Sequence, residues 1–200
     1  MTKHQIVIVG GGAAGIATAS SLRSRDASLD IAIIEPSDQH YYQPGWTMVG
    51  AGVFTKGETV RTTDSVWPSG IKRIKGAVAT FAPKNNSVTL EDGSEVLYDF
   101  LVVAAGLKLD WGAIEGLEDT LGKNGVTSNY RFDLAPYTWE LVQKMRGKTA
   151  IFTQPPMPIK CAGAPQKAMY LSCDAWLKAG KLDGIDVSFC NAGPVLFGCA

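Results

Sequence analysis

Between the apolar run His4 to Val9 and an alanine-rich stretch from Ala13 to about Arg25 stand three consecutive glycines, Gly10, Gly11 and Gly12, with Gly15 three residues on. G-x-G-x-x-G at a strand-to-helix junction restricts the fold sharply. It suits a βαβ unit in which Gly10 permits a tight turn, Gly12 lets a pyrophosphate approach the backbone, and Gly15 lets the helix pack close to the strand. The amides of Ala13, Ala14 and Gly15 would then face the phosphates at the helix N-terminus. In a chain with 22 glycines the motif alone also fits an ordinary turn. Glu35 favours the first reading. It ends the next strand-like run, Asp30 to Ile34, where a carboxylate can accept hydrogen bonds from both hydroxyls of a ribose and disfavours a 2′-phosphate. The plainer reading of Glu35 is a solvated strand end.

The remaining pattern predicts an α/β chain: a Rossmann-like domain with an antiparallel insertion, then the start of a second Rossmann-like domain. Within residues 71–98, Val78 to Phe81 and Ser87 to Leu90 flank the turn formers Pro83 to Asn86. Asp92-Gly93 marks a further turn before Glu95 to Tyr98, so this stretch is expected to be antiparallel. The chain should then return to a parallel strand, Phe100 to Ala104, closed by Ala105-Gly106. Further on, Leu134 to Met145 reads as a helix, Thr149 to Thr153 as a strand, Ala164 to Ala179 as a helix ended by Gly180, and Ile185 to Cys190 as a strand. These elements place a first domain at residues 1–147 and the beginning of a second at 148–200.

Composition narrows the functions. With 46% hydrophobic residues in 200, the chain can bury a substantial core. Lys+Arg and Asp+Glu each number 19, so no basic field exists to hold a nucleic-acid backbone. No apolar run reaches the roughly 18 residues that suggest a membrane span. Strand residues from Ile6 leave no room for a leader, which points to a cytosolic or matrix-type compartment. His4 and His40 differ in context and suggest no metal site.

The antiparallel insertion followed by Phe100 to Ala104 and Ala105-Gly106 resembles the layout of flavin-dependent pyridine-nucleotide disulfide reductases, where that strand ends in an Ala-Thr-Gly-like turn beside the cofactor. Ala105 replaces the threonine and Gly106 keeps the close approach. The resemblance implies FAD at the first site. It also places a second phosphate cradle after Thr149 to Thr153, where this chain instead has Gln154-Pro155-Pro156-Met157-Pro158-Ile159-Lys160-Cys161-Ala162-Gly163. Prolines lack the amide donors of such a cradle, so electrons are expected to reach the flavin by a route other than nicotinamide.

Four cysteines, Cys161, Cys173, Cys190 and Cys199, crowd the C-terminal part without C-x-x-C spacing, and their default role is that of small buried hydrophobes. Cys161 departs from that default. It opens the 164–179 helix with Pro165 in the first turn and Lys160 and Lys167 nearby, and helix-end amides and ammonium groups both favour a thiolate. Cys173 lies with Met169, Trp176 and Leu177 at core-stripe spacing and reads as packing. Cys190 ends a strand, Cys199 lies near the end of the sequence, and neither is assigned a role.

The blocks His40-Tyr-Tyr-Gln-Pro-Gly-Trp-Thr-Met-Val-Gly-Ala-Gly52, Pro158-Ile-Lys-Cys-Ala-Gly-Ala-Pro-Gln-Lys167 and Met169-Tyr-Leu-Ser172 resemble the sulfide:quinone oxidoreductases, in particular the group with the mitochondrial enzymes. The resemblance runs over nearly the whole chain. It implies FAD, oxidation of sulfide to sulfane sulfur, transfer of two electrons to a membrane quinone, and Cys161 as the first of a redox pair. It also implies Gln43 beside the flavin and the Val78 backbone against adenine. Implied partners are sulfide, a sulfur acceptor and the quinone, with a homo-oligomer left open. The implied location is peripheral, on the cytoplasmic face of a bacterial inner membrane or the matrix side of the mitochondrial one. The family's second cysteine, C-terminal flavin segment and membrane-docking helices would lie further along, so these residues are expected to be a fragment. Competing readings are an NADH:quinone oxidoreductase, a flavocytochrome-type sulfide dehydrogenase, and a FAD-binding interaction protein without turnover.

Overall fold

The computed structural model describes residues 2–196. In chain order they form β1 (Thr2–Val9), α1 (Ala13–Arg25), β2 (Ile31–Ile34), β3 (Gln39–Tyr41), α2 (Gly45–Gly50), β4 (Val60–Thr62), α3 (Thr63–Val66), β5 (Lys72–Ile74), β6 (Val78–Ala82), β7 (Ser87–Leu90), β8 (Glu95–Val103), α4 (Leu117–Thr120), α5 (Ala135–Lys144), β9 (Thr149–Gln154), α6 (Gly163–Lys178) and β10 (Asp186–Asn191). The described residues pack as two compact units, one of residues 2–42 and 60–109, the other of 43–59 and 110–196.

The first unit is built on a six-stranded sheet in the order β5-β2-β1-β8-β7-β6. Its centre is parallel: β1 pairs with β2 (Ile6 opposite Ile31, Val9 opposite Ile34) and with β8 (Val9 opposite Val103), and β2 pairs with β5. Central parallel strands are covered on both faces, hence the unbroken apolar runs. Val7, Ile8, Ile31, Ile33 and Ile34 are all but fully buried. Side chains alternate across the sheet. Val7, Val9 and Ile34 join Val88, Leu90, Val96 and Tyr98 in one cluster, while Ile6, Ile8, Ile31 and Ile33 join Ala19 of α1 and Ile71 in another. Each large aliphatic side chain so buried contributes about 1.5–3 kcal/mol.

The antiparallel strands differ in one respect from the sequence expectation. Glu95 to Tyr98 and Phe100 to Val103 form a single strand, β8, which runs parallel to β1 along its length while its first half is antiparallel to β7. Asp99 does not break the pleat: it stays exposed and pairs with Lys3 across the strands at 2.8 Å. The β6–β7 hairpin therefore extends the edge of the main sheet.

In the second unit β9 and β10 pair in parallel from Thr149 opposite Asp186 to Gln154 opposite Asn191. Val142 of α5, Ala150, Trp176 of α6 and Ile185 form its core, and the Trp176 indole donates to the Val142 carbonyl at 2.9 Å. β9, α6 and β10 form a strand–helix–strand unit that begins at Thr149, and the packing groups α5 with it. Among the described residues no helix is long and apolar enough to cross a membrane.

Candidate dinucleotide and thiol sites

The glycine turn closes the C-terminal end of β1. Gly10 has φ +103°, and a β-carbon there would lie 2.3 Å from the Ala104 carbonyl oxygen just beyond β8. At Gly15 a β-carbon would sit 1.8 Å from the Gly10 carbonyl oxygen. Gly12 is the opposite case: a β-carbon there would meet nothing within 4 Å. It is exposed together with Ala13 and Ala14. The first helical bond runs from the Ile16 amide to the Gly12 carbonyl at 3.0 Å, so the amides of Ala13, Ala14 and Gly15 precede the helical ladder. Helix α1 has no side-chain cap at Gly12 and no acidic residue in its first turn. An anion approaching that end meets donors and open space.

Glu35, directly after β2, borders this turn. Its Oε2 accepts the Gly11 amide at 2.7 Å and its Oε1 accepts the Ser37 amide at 2.7 Å. A carboxylate offers about four lone-pair positions, so each oxygen keeps one for a ribose hydroxyl. Residues distant in sequence hold this loop. The Ser37 carbonyl accepts both Thr63 Oγ1 and Arg73 Nη2, each at 2.9 Å. Arg73 also donates to Asp38 at 2.8 Å and Asp64 at 2.6 Å, and its guanidinium lies 5.5 Å from the Trp67 ring centre. Hydrogen bonds from Lys75 and then Arg73 hold the Asp38 carboxyl below the usual carboxylate range. Free amides at an uncapped helix end, open ground over Gly12 and a fixed carboxylate together fit the pyrophosphate and ribose of an adenine dinucleotide.

Two other residues singled out in the sequence lie in the same unit. Val78 packs against the cluster containing Val9 and Ile34, the strand residues just before Gly10 and Glu35. Gly106 is exposed beyond β8 with φ +78° and open space about its Cα. Gln43 and Cys161 belong to the second unit. Gln43 is half-buried ahead of α2, and its carbonyl accepts the Trp46 amide at 3.0 Å. Among the described residues no group of three His, Cys, Asp or Glu side chains is placed to hold a metal ion. His4 instead pairs with Asp30 at 3.0 Å.

Cys161 is exposed, two residues before α6, in the loop that carries Pro155, Pro156 and Pro158. Its backbone is left-handed, φ +61°. The Cys161 carbonyl accepts the Ala164 amide at 2.9 Å. The Tyr130 hydroxyl donates to the Lys160 carbonyl at 2.6 Å and lies 3.3 Å from that of Cys161. Burial, with a smaller contribution from the Cys161 charge, pushes the Tyr130 phenol up to about 12. Cys173 packs against the Val142–Trp176 core, and burial pushes its thiol up. Leu177, expected on the same buried stripe, is 63% exposed. One residue past Trp176, it is turned some 100° around the helix and out of the core. Cys190 is exposed in β10, and Cys199 lies outside the described residues. Cys173→Ser is expected to cost about 1 kcal/mol, because a hydroxyl takes the place of a thiol against an apolar core. Chemical denaturation would show this as a lowered midpoint.

The family model for pyridine nucleotide-disulphide oxidoreductases matches residues 4–142. The chain belongs to this family. It is 44% identical over 195 residues to the mitochondrial sulfide:quinone oxidoreductase of Dictyostelium discoideum, covering 96% of this chain and 43% of that protein. To the mouse mitochondrial sulfide:quinone oxidoreductase it is 40% identical over 195 residues, covering 98% and 43%. The crystal structure of the Aquifex aeolicus sulfide:quinone oxidoreductase superposes with a TM-score of 0.75 at 25% identity, covering 98% of this chain and 44% of that one. The chain thus spans less than half the length of these relatives.

Sequence reasoning missed Thr63, Trp67, Arg73 and Tyr130. Thr63 and Arg73 meet the Glu35 loop from 26 and 36 residues beyond Ser37. Tyr130 meets the cysteine loop from 30 residues before Lys160. None belongs to a motif, and no periodicity joins them to the groups they touch.

Proposed function

We propose that the chain is the FAD-binding and thiol-bearing part of a sulfide:quinone oxidoreductase. The observation that carries this reading is an open phosphate cradle and ribose carboxylate in a chain whose proline loop presents an exposed cysteine where a second cradle would stand. The likeness to sulfide:quinone oxidoreductases over nearly all of the chain supports it. In this assignment the Gly10 turn and the amides at Gly12, Ala13, Ala14 and Gly15 bind the pyrophosphate. Glu35 binds the adenosine ribose, the Val78 backbone meets adenine, and Gln43 and Gly106 lie beside the flavin. A second nucleotide-fold unit begins at Lys148 and carries Cys161.

FAD, when bound, supplies a two-electron acceptor. The chain's own chemistry is that of the thiol, which takes up sulfane sulfur as a persulfide once sulfide has been oxidised. Overall, hydrosulfide loses two electrons and a proton and the quinone gains two electrons and two protons, giving sulfane sulfur and quinol with one proton taken up. Sulfur then leaves to an acceptor. A lipid-borne quinone calls for membrane association of the whole enzyme, on the matrix side of the mitochondrial inner membrane or the cytoplasmic face of a bacterial one.

Anaerobic mixing of the complete, FAD-loaded protein with sulfide tests this reading. Sulfide is expected to bleach the visible flavin band rapidly, and NADH to leave it intact, because Pro155, Pro156 and Pro158 cannot offer phosphate-binding amides. Fast stoichiometric reduction by NADH, or indifference to sulfide, would overturn it.

A further inference from the structure

We infer that Tyr130 is the positioning residue of the Cys161 thiol: its hydroxyl fastens the Lys160–Cys161 backbone in the left-handed turn that presents the thiol to solvent. The inference rests on the reading of Cys161 as the reactive thiol. A left-handed backbone is unfavourable for a residue with a β-carbon, and it persists only where neighbouring groups over-determine it. Cys161 has φ +61° with two such groups in place. The Ala164 amide holds its carbonyl from the helix side, and Tyr130 holds the Lys160 carbonyl at 2.6 Å, with the Cys161 carbonyl 3.3 Å from the same oxygen.

The loop itself explains why a side chain does this. Three of the residues between β9 and Cys161 are prolines with no amide to donate, so the segment has few backbone bonds with which to fix its own end. Tyr130 is well suited to the task. Its own amide is tied to Ser128 Oγ at 3.1 Å, its ring is half-buried, and with its phenol pushed up to about 12 it remains a protonated donor at any physiological pH. A hydroxyl serving two adjacent carbonyls fixes their relative direction, and with it the Cα–Cβ bond of Cys161.

The test uses the complete FAD-loaded protein, reduced beforehand with a phosphine and freed of the reductant under anaerobic conditions so that Cys161 is a free thiol, and iodoacetamide, with alkylation at each cysteine followed by mass spectrometry. Tyr130→Phe keeps the ring and removes the donor. It is expected to slow alkylation of Cys161 at least threefold and leave Cys190 unchanged. Tyr137→Phe, which removes a hydroxyl that accepts the Gly125 amide elsewhere in the same unit, should change neither. Turnover of Tyr130→Phe should fall about tenfold in kcat with the KM for quinone unchanged, as when a reacting group is misplaced without loss of binding. Equal Cys161 alkylation in wild type and Tyr130→Phe overturns the inference, whatever turnover does. Cys161→Ser assayed in parallel keeps the two ideas apart: if it retains turnover, the catalytic reading of Cys161 fails, while the alkylation rate still decides the role of Tyr130. Should Tyr130→Phe lose its fold or flavin, 4-fluorophenylalanine at position 130, which fills the place of the hydroxyl with an atom that carries no proton to donate, must give the same slowing, and unchanged alkylation in that protein overturns the inference equally.

Discussion

Cys161→Ser in the complete protein is expected to keep its fold and its FAD while losing sulfide:quinone turnover by about a hundredfold or more, the scale on which enzymes respond to removal of a covalent catalyst. Serine has the same β-carbon and nearly the same size, so the left-handed turn at residue 161 and its bonds to Ala164 and Tyr130 should survive the exchange. The atom that does the chemistry would not. A serine hydroxyl is a far weaker nucleophile at neutral pH and forms no persulfide. Steady-state turnover with sulfide and a soluble quinone, beside the flavin-to-protein absorbance ratio, measures both halves of the expectation. Cys173→Ser is the control. It touches the Val142–Trp176 core, so it should lower stability and leave turnover per folded molecule unchanged. Near-normal turnover of Cys161→Ser, with sulfide still bleaching the flavin, would assign the chemistry to another residue.

The parts of this chain legible in its sequence are those whose cause is local. β1, the glycine turn and α1 follow one another within 25 residues, and each is dictated by its own composition: a buried parallel strand, a turn open to left-handed backbone, a helix of small residues. The place of Glu35 directly after β2 was legible because the apolar run of that strand ends there, while its bonds to the Gly11 and Ser37 amides were not. The exposed loop of Cys161 was legible because three prolines forbid the alternative. What escaped notice was set by pairing between distant segments. Nothing near Asp99 announces that Glu95–Val103 is one strand; that follows from β1, which offers a continuous edge from Thr2 to Val9. The short ladder of β3 with β4, and the capture of Ser37 by Thr63 and Arg73, depend on segments that the loop holding α2 separates in sequence. The stripe Met169, Cys173, Trp176, Leu177 was right for Cys173 and Trp176 and wrong for Leu177, because the core beneath α6 is narrower than the sequence spacing allows.

Gly12→Val is expected to give a folded protein without flavin, and the structure makes this a sharper test than the motif does. The three glycines of G-x-G-x-x-G stand in unlike surroundings. A side chain at Gly10 or Gly15 would drive a β-carbon to 2.3 Å or 1.8 Å from a backbone oxygen, so substitution there breaks the turn itself, and loss of cofactor would say nothing about the cradle. Gly12 has φ −72°, which any residue adopts, and nothing lies within 4 Å of the β-carbon it lacks. Valine there should be tolerated by the apoprotein, costing about 1 kcal/mol or less, because Gly12 is the N-cap of α1 and valine is a poorer capping residue than glycine. Yet its two methyl groups would fill the space over the amides of Ala13, Ala14 and Gly15, where a pyrophosphate must come close. The apoprotein should therefore show native circular dichroism and a cooperative melt near that of wild-type apoprotein. The protein as purified should be colourless, and titrated FAD should bind at least a hundredfold more weakly. Fully yellow Gly12→Val would show that the phosphates lie elsewhere, and with them the cofactor. An unfolded Gly12→Val would instead contradict the open space over the helix end.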